Sequence, residues 1–237
     1  MRKERQDFAF YAPTLSSGFF LVVCFNDKEV YFYYGTNTFK KPVFSTKDIA
    51  KIAILSALAY ILYMFVKFPL PFIFPAFLDI QFSDLPALIG GFAMGPWAGC
   101  IIVLIKCLLK MPFSTTACVG ELADIIMGIA FVLPASVLYK KAKSKKGALM
   151  GAIVGAVACI VASILANWLL LIPFYAQVFG WDAILGMVSS LYSGVTQSSF
   201  YTYYILLAVS PFNILRCAIV VVFTFLLYKR VSPILHR

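Results

Sequence analysis

Apolar residues fall into long runs along this chain, separated by short polar, basic or proline-containing segments. An α-helix needs about 20 mainly apolar residues to cross the hydrocarbon core of a bilayer. From residue 49 onward the pattern predicts six such helices, with Gly95-Pro96 ending the short second one. Their expected bounds are residues 49–68, 85–94, 97–111, 119–139, 147–174 and 205–228. We therefore expect an all-α integral membrane protein.

The segment between the first two predicted helices is apolar and aromatic, but Pro69, Pro71 and Pro75 interrupt it. Proline lacks a backbone donor and clashes with the preceding helical turn, so a continuous helix is excluded here. We expect a loop at the membrane surface. Such a loop is tolerated where it covers protein or ligand.

Residues 1–46 differ from the rest because they mix charged, aromatic and turn-forming residues. Their apolar stretch, Gly18 to Phe25, is too short to span a bilayer. The basic start resembles a signal peptide, but Asp7 interrupts it and no small-residue cleavage site follows. We expect a poorly ordered cytoplasmic extension without an assigned role over residues 1–46, and a six-helix membrane domain over residues 47–237.

Basic residues orient the predicted helices, since short cytoplasmic loops carry an excess of Lys and Arg. Lys47 and Lys51, the loop 140–146 and the pair Lys229-Arg230 should all face the cytoplasm. Four helices before the basic loop and two after it satisfy this rule, with both the N-terminus and the C-terminus cytoplasmic. The loops at 68–84, 112–118 and 175–204 then face outside, which indicates a ligand site entered from that side.

Composition supports a membrane protein and excludes several classes of function. The chain is 62% hydrophobic and 13% charged, whereas soluble domains carry about 25% charged residues. The net charge of +10 is explained by topology, so we predict no nucleic-acid partner. The six cysteines form no CxxC pair and His236 is the single histidine, which predicts no metal site and no histidine-based catalysis. There is no GxxxxGK[ST] phosphate loop, so the chain does not hydrolyse ATP itself.

Polar groups at membrane depth are costly and usually serve a substrate or one another. Asn213 and Arg216 are three residues apart and share one face of the last helix. For Asn167 the alternative to ligand binding is an interhelical hydrogen bond. For Arg216 it is snorkelling or pairing with an acid. The full set of candidates is Lys106, Glu121, Asp124, Asn167, Asn213 and Arg216.

Three further patterns remain, of which the first and the last leave two interpretations. Lys106 either contacts ligand or forms a salt bridge with Asp84 or Asp124, while Lys110 is expected to reach the outer surface. Glu121 and Asp124 lie near a helix start, where the helix dipole favours acids, and we interpret them in that way. The small-residue pattern of Ala53 and Ala57 in the first helix serves either internal packing or docking of a partner membrane protein.

A series of segments resembles the riboflavin-specific S component of energy-coupling factor (ECF) vitamin transporters. The resemblance runs in order from about residue 45 to 235. The segments that carry it are IAILSALAYIL, FPLPF, FSDLPALIGGFAMGPWAG, LIKCLL, FVLPASVLY, LANWLLLIPFY and SPFNILR.

The resemblance implies a six-helix S-component fold whose site opens outward and is capped by the first loop. It implies that Asn167 and Asn213 contact the vitamin. Arg216, where the family has Lys, and Lys106 match further family positions, and Asp79 in the capping loop joins the candidate substrate contacts. It also implies that Ala53 and Ala57 dock a transmembrane T component, and that two cytoplasmic ATPases supply energy. The vitamin is a transported ligand, and no cofactor or catalytic residue is implied.

Three alternatives remain open on sequence. The first is an S component for thiamine, folate or a queuosine precursor. The second is an integral-membrane enzyme acting on a lipid or isoprenoid phosphate, which usually needs acidic metal motifs or catalytic histidines that are missing here. The third is a stand-alone secondary transporter with inverted repeats, for which we find no internal repeat.

Overall fold

The structure is a computed structural model. It describes residues 8–11, 21–26, 29–34, 37–40, 44–70, 73–75, 78–114, 116–142, 144–189, 192 and 194–235. Asp7, Gly18, Pro71 and His236, which the sequence analysis names, lie outside these ranges. The chain divides into two compact units, one ending at Ile49 and one beginning at Ala50.

The first unit contains four short antiparallel strands in sequential order. They are β1 (Phe8–Tyr11), β2 (Leu21–Asn26), β3 (Glu29–Tyr34) and β4 (Asn37–Lys40). In the register, Phe8 lies opposite Phe25, and Tyr31 lies opposite Lys40. The Val, Tyr and Phe content of these strands is typical of β-structure, since such residues favour strands. Our expectation of a poorly ordered extension over residues 1–46 stays a prediction.

The described residues from Thr46 onward form nine α-helices, of which α1 begins within the first unit and the other eight lie in the second. They are α1 (Thr46–Phe65), α2 (Asp84–Met94), α3 (Pro96–Lys110), α4 (Val119–Ala142), α5 (Lys145–Ala166), α6 (Ile172–Phe179), α7 (Trp181–Ser189), α8 (Phe200–Tyr203) and α9 (Ser210–Leu235). A 3₁₀ turn, Met111–Phe113, follows α3. Two π-helical segments join helices into longer rods: Asn167–Leu171 links α5 to α6, and Tyr204–Val209 links α8 to α9.

Five helical stretches in the described part of the chain are long and apolar enough to cross a membrane. They are Thr46–Phe65, Pro96–Phe113, Val119–Ala142, Lys146–Phe179 and Phe200–Leu226. These helices expose large apolar side chains, for example Ile54, Phe65 and Leu226, as expected for surfaces that face lipid. The shorter helix α2 is buried from Asp84 to Phe92, so protein and not lipid surrounds most of it.

Local sequence explains several helix ends. Ser45 caps α1, because its Oγ accepts a hydrogen bond from the Asp48 amide at 3.2 Å and the Asp48 carboxylate accepts from the Ser45 amide at 3.1 Å. Gly95 separates α2 from α3 with a φ of 99°, a conformation that side chains disfavour. Pro96 then starts α3, where its missing N–H costs nothing.

Helices α4 and α5 approach closely because α5 presents glycine at the contact. A Cβ added to Gly151 would meet the carbonyl oxygen of Ala135, and one added to Gly155 would meet that of Phe131. Both obstacles are backbone atoms and cannot rotate away. Small residues at such crossings let helices pack through van der Waals contact in a membrane.

Each π-helical segment lies just before a proline, which explains its position. Pro173 follows the first segment and Pro211 follows the second. A proline inside a helix leaves the carbonyl four residues earlier without its usual donor, and a local change of helical pitch accommodates this. For Pro211 that carbonyl belongs to Leu207. It accepts a hydrogen bond from the Tyr192 hydroxyl at 3.0 Å.

The loop between α1 and α2 contains a two-stranded hairpin of β5 (Lys67–Pro69) and β6 (Asp79–Gln81). We had expected an all-α protein, and this hairpin shows that the chain is mostly helical instead. Phe74 of this loop packs edge-on against Phe212 of α9, with ring centroids 5.4 Å apart. Ile80 joins the same buried cluster. The expectation that the loop covers protein is confirmed for this part.

Candidate functional site

A cavity of about 180 Å³ lies within the second unit, beneath the β5–β6 hairpin. Its wall combines residues from α1, the hairpin, α3, α4, α6, both π-helical segments and α9. The polar lining side chains are Tyr63, Lys67, Asp79, Gln81, Lys110, Thr116, Glu121, Asp124, Asn167, Tyr175, Tyr204, Asn213 and Arg216. Leu78, Met127, Leu171 and Phe212 contribute apolar surface. A concave site of this kind, with apolar walls and a few convergent polar groups, is typical of small-molecule binding.

Four charged side chains from four helices meet beside the cavity, and two of them, Asp124 and Arg216, belong to its wall. The Lys106 ammonium lies 2.6 Å from Asp84 Oδ1 and 3.2 Å from Asp124 Oδ2. The Arg216 Nη2 lies 2.6 Å from Asp84 Oδ2 and 2.8 Å from Asp124 Oδ1. Each acid therefore bridges both bases, and we call these four residues the charge cluster. Its members come from α2, α3, α4 and α9.

The charge cluster is formally neutral and almost completely shielded from solvent. Lys106 has no exposed side-chain surface, and the other three residues are no more than 4% exposed. Isolated charges at this depth would be very costly, whereas two acids and two bases compensate one another. Lys106 also donates to Ser83 Oγ at 2.7 Å. The cluster holds the Arg216 guanidinium in a fixed position at the cavity wall.

These contacts bear on two sequence predictions. Lys106 is engaged by Ser83, Asp84 and Asp124 and does not belong to the cavity lining given by the described residues. The geometry therefore favours the salt-bridge interpretation of Lys106. Arg216 satisfies both interpretations at once, since it pairs with Asp124 and also lines the cavity.

Both predicted asparagines line the cavity, with different hydrogen bonding. Asn167 donates to Ser163 O at 2.8 Å and accepts from the Tyr204 hydroxyl at 3.0 Å. It therefore makes the interhelical bond that the sequence analysis set beside ligand binding. Asn213 donates to Val209 O at 2.8 Å, but its buried Oδ1 has no partner among the described residues.

A second group of polar residues forms another part of the cavity wall, where α3 turns into α4. Lys110 lies 2.9 Å from Glu121 Oε1, and its ammonium sits 4.1 Å from the centre of the Tyr63 ring. Glu121 Oε2 accepts from Ser114 at 2.6 Å and Thr116 at 3.2 Å. Lys110 is thus paired, whereas we expected it to reach the outer surface. Glu121, at the start of α4, therefore accepts hydrogen bonds from the turn before the helix, in addition to its interaction with the helix dipole.

The remaining predicted residues lie in two separate places, Asp79 at the cavity and the two alanines on the surface of α1. Asp79 is half-buried in β6 and lines the cavity. Ala53 and Ala57 are exposed on α1, on the opposite side from its buried Ile52, Leu55 and Ala59. Internal packing of the two exposed alanines is therefore not observed among the described residues.

Sequence reasoning gave little weight to Asp84, Gln81, Tyr63 and Tyr204. Asp84 was considered only as a partner for Lys106, yet it also bonds to Arg216, 132 positions along the chain. Local sequence does not distinguish a buried acid at a helix start from an exposed one. The available signal was charge balance, since two buried bases require two buried acids.

The site offers binding chemistry. In the described part of the chain, no three His, Cys, Asp or Glu side chains are grouped in a way that could hold a metal ion. The wall supplies hydrogen-bond donors and acceptors, aromatic surface and a fixed guanidinium. Such an arrangement holds a mainly planar or apolar ligand by shape and orients it through a few polar contacts.

Comparison with known proteins gives a consistent result. A family model described as "ECF transporter, substrate-specific component" matches residues 47–228. A riboflavin transporter RibU of Staphylococcus aureus is 33% identical over 81% of this chain and 93% of its own length. A riboflavin transporter FmnP of Bacillus subtilis is 29% identical over 79% of this chain and 93% of its own length.

A solved structure of the S component of a bacterial ECF transporter superposes with a TM-score of 0.61 at 33% identity. It covers 81% of this chain and 98% of the solved chain. The family, the fold and the five long apolar helices agree with a multi-pass membrane transport protein and not with a membrane enzyme. This chain belongs to the family of substrate-specific components of ECF transporters.

Proposed function

We propose that this chain binds riboflavin outside the cell and delivers it inward as the S component of an ATP-driven ECF transporter. The observation that carries the proposal is a cavity whose wall holds the buried side chains of Asn167, Asn213 and Arg216 together. Relatives that match across nearly their whole length are named riboflavin transporters, which supports riboflavin as the ligand.

In the proposed complex the isoalloxazine ring lies among the apolar and aromatic side chains of the cavity. Asn213 and Arg216 contact the polar groups of the ligand, and Asn167 contacts it with the hydrogen-bonding capacity left beside Tyr204. Asp79 contacts ligand from the covering hairpin. Lys106 acts on the ligand indirectly, because it anchors the acids that hold Arg216.

We propose six membrane crossings with both termini in the cytoplasm. The five long helices account for five crossings, and α2 is the sixth. Eleven residues of helix extend only about 16 Å, but α2 is enclosed by protein and need not match the bilayer thickness. A reporter fused after Leu235 and read in intact cells would test the orientation, with a signal on the outside contradicting it.

The proposed assembly places a transmembrane T component against α1 and two cytoplasmic ATPases beneath it. Exposed Ala53 and Ala57 would allow a partner helix to approach closely. The chain has no phosphate-binding loop of its own, so energy must come from other subunits. We assign this role to the domain of residues 47–237 and none to residues 1–46.

Titration of the purified protein with riboflavin, followed by quenching of flavin fluorescence, tests the function. We expect quenching that saturates at one flavin per chain. Asn213→Ala should weaken binding about tenfold or more, since about 1.4 kcal/mol corresponds to a factor of ten. Gln177→Ala is the matched control, because Gln177 is an exposed amide of α6 outside the cavity lining.

Binding of another vitamin in place of riboflavin would contradict the proposal. A folded sample that does not quench riboflavin fluorescence but binds thiamine, folate or a queuosine precursor would overturn the riboflavin assignment and leave the family unchanged. Tight riboflavin binding that ignores Asn213→Ala would retain the function and overturn the proposed position of the ligand.

A further inference from the structure

Five buried side-chain atoms have no hydrogen-bond partner in the described part of the chain. They are Ser56 Oγ, Gln81 Oε1, Ser136 Oγ, Asn213 Oδ1 and Arg216 Nε. Both serines lie outside the cavity lining, whereas Gln81, Asn213 and Arg216 all belong to it. Buried polar groups in native proteins are nearly always paired. Their concentration at one cavity indicates that a bound molecule supplies the missing partners.

Gln81 is the member of this set that the sequence did not single out. It ends β6, opposite Lys67 in the hairpin register, and so lies in the segment that covers the cavity. Its side-chain Nε2 donates to Asp124 Oδ1 at 3.4 Å. Asp124 in turn bonds to Lys106 and Arg216. The Gln81 side chain is therefore attached to the charge cluster.

The contact with Asp124 fixes which way the Gln81 amide is turned. An ionised carboxylate only accepts hydrogen bonds, so the amide must present its nitrogen there and its oxygen elsewhere. Charge compensation by Lys106 and Arg216 keeps Asp124 ionised in its buried position. The unpaired Oε1 is consequently an acceptor held in a fixed orientation and shielded from water.

We propose that Gln81 is a specificity-determining residue whose Oε1 accepts a hydrogen bond from a donor group of the bound flavin. This inference rests on the proposed function and adds a contact to it. Riboflavin offers two kinds of donor, the N3–H of its ring and the hydroxyls of its ribityl chain. Asn213 Oδ1 is a second unpaired acceptor, and Arg216 Nε is an unpaired donor. A ligand that satisfies all three atoms needs at least two donors and one acceptor.

Gln81→Met tests the contact, because methionine is similar to glutamine in length and volume but is apolar and has no comparable acceptor. We expect riboflavin to bind about tenfold more weakly, the change that corresponds to about one hydrogen bond. Gln177→Met is the control for the same substitution at an exposed amide, and it should leave the Kd unchanged. Thermal unfolding without ligand checks that both variants are folded.

Two flavin analogues separate a ligand contact from a merely structural role. Lumiflavin lacks the ribityl hydroxyls, and 3-methylriboflavin lacks the N3–H. If Oε1 accepts from a hydroxyl, the penalty of Gln81→Met disappears with lumiflavin. If it accepts from N3–H, the penalty persists with lumiflavin and disappears with 3-methylriboflavin. Either pattern supports the proposal.

The contrary results are distinct. An unchanged riboflavin Kd in Gln81→Met, or one equal penalty for riboflavin and both analogues, would overturn the role of Gln81 and leave the proposed function intact. A folded wild-type protein that does not bind riboflavin would overturn the proposed function, and the Gln81 contact with it.

Discussion

The hydroxyl of Tyr204 donates a hydrogen bond to Asn167 Oδ1 at 3.0 Å, and this bond joins the two π-helical segments of the protein. Asn167 begins the first segment and Tyr204 begins the second. The bond orients the Asn167 amide at the cavity wall, since its nitrogen is held by Ser163 O at the same time. Beside these two bonds, one N–H and one acceptor lone pair of Asn167 have no further partner among the described residues and can serve a ligand.

We predict that Tyr204→Phe weakens riboflavin binding because the Asn167 amide is no longer oriented. Loss of one buried hydrogen bond costs about 0.5–1.5 kcal/mol, which corresponds to about 2–12-fold in Kd. Fluorescence titration measures the change, and Tyr203→Phe is the control because Tyr203 is exposed. Equal affinities for Tyr204→Phe and the wild type would show that Tyr204 does not position Asn167 for the ligand.

The charge cluster makes a separate prediction about stability. Lys106→Met leaves two acids facing one base in a buried site, so we expect about 3–5 kcal/mol of destabilisation. Adding Asp84→Asn restores neutrality and should recover part of that loss. Thermal unfolding in detergent compares the single and double variants, with Lys67→Met at an exposed position as the control. Additive losses in the double variant would show that the two residues do not act as a pair.

Sequence predicted the helices better than it predicted the contacts between them. Helices lie at all six predicted positions to within a few residues at most ends, and five of them are long and apolar enough to cross a membrane. Helix length follows from local composition and from breaks such as Gly95-Pro96. The segment 175–204, which we had assigned to a loop, was the exception. It contains the end of α6, the whole of α7 and the start of the last rod at Phe200.

The candidate site was predictable in part for a physical reason. Asn167, Asn213 and Arg216 stood out because polar side chains are rare and costly in apolar helices. Gln81 and Asp84 lie at element ends, where polar residues are ordinary. Only the tertiary fold reveals that Asp84 is buried against Arg216 and that Gln81 contacts Asp124. The sheet in the first unit was missed because short aromatic strands resemble loops in a chain dominated by membrane helices.

Tyr192 leads to a prediction about ligand exchange. Its hydroxyl lies 3.0 Å from Leu207 O and 3.3 Å from Ile73 O, which belongs to the loop over the cavity. Tyr192→Phe removes this tie and leaves the Leu207 carbonyl without the donor that replaces the missing Pro211 N–H. We expect riboflavin to dissociate about 2–12-fold faster. Stopped-flow fluorescence measures the rate, and an unchanged rate would show that the loop is held by other contacts.

The close contact of α4 and α5 predicts a position-dependent response to a single methyl group. Gly155→Ala forces a Cβ against the Phe131 carbonyl, and such overpacking costs about 1–3 kcal/mol. Gly186→Ala in α7 meets nothing within 4 Å and should be neutral or stabilising by up to about 1 kcal/mol. Thermal unfolding of the two variants tests the difference, and equal midpoints would contradict the packing observed here.

The exposed alanines of α1 allow binding and assembly to be separated. Ala53→Trp places a bulky ring on a helix face that is open in this chain, so the proposed close approach of a T component should be blocked. The cavity does not include Ala53, so riboflavin affinity should be unchanged. Co-purification with the T component and ATPases measures assembly. Leu58→Trp is the control, because Leu58 is exposed on the same helix but lies about 140° around it from Ala53. If Ala53→Trp assembles as well as Leu58→Trp does, the partner docks on another face. If Ala53→Trp instead loses riboflavin binding, the face that carries Ala53 also affects the cavity, and the separation of the two surfaces fails.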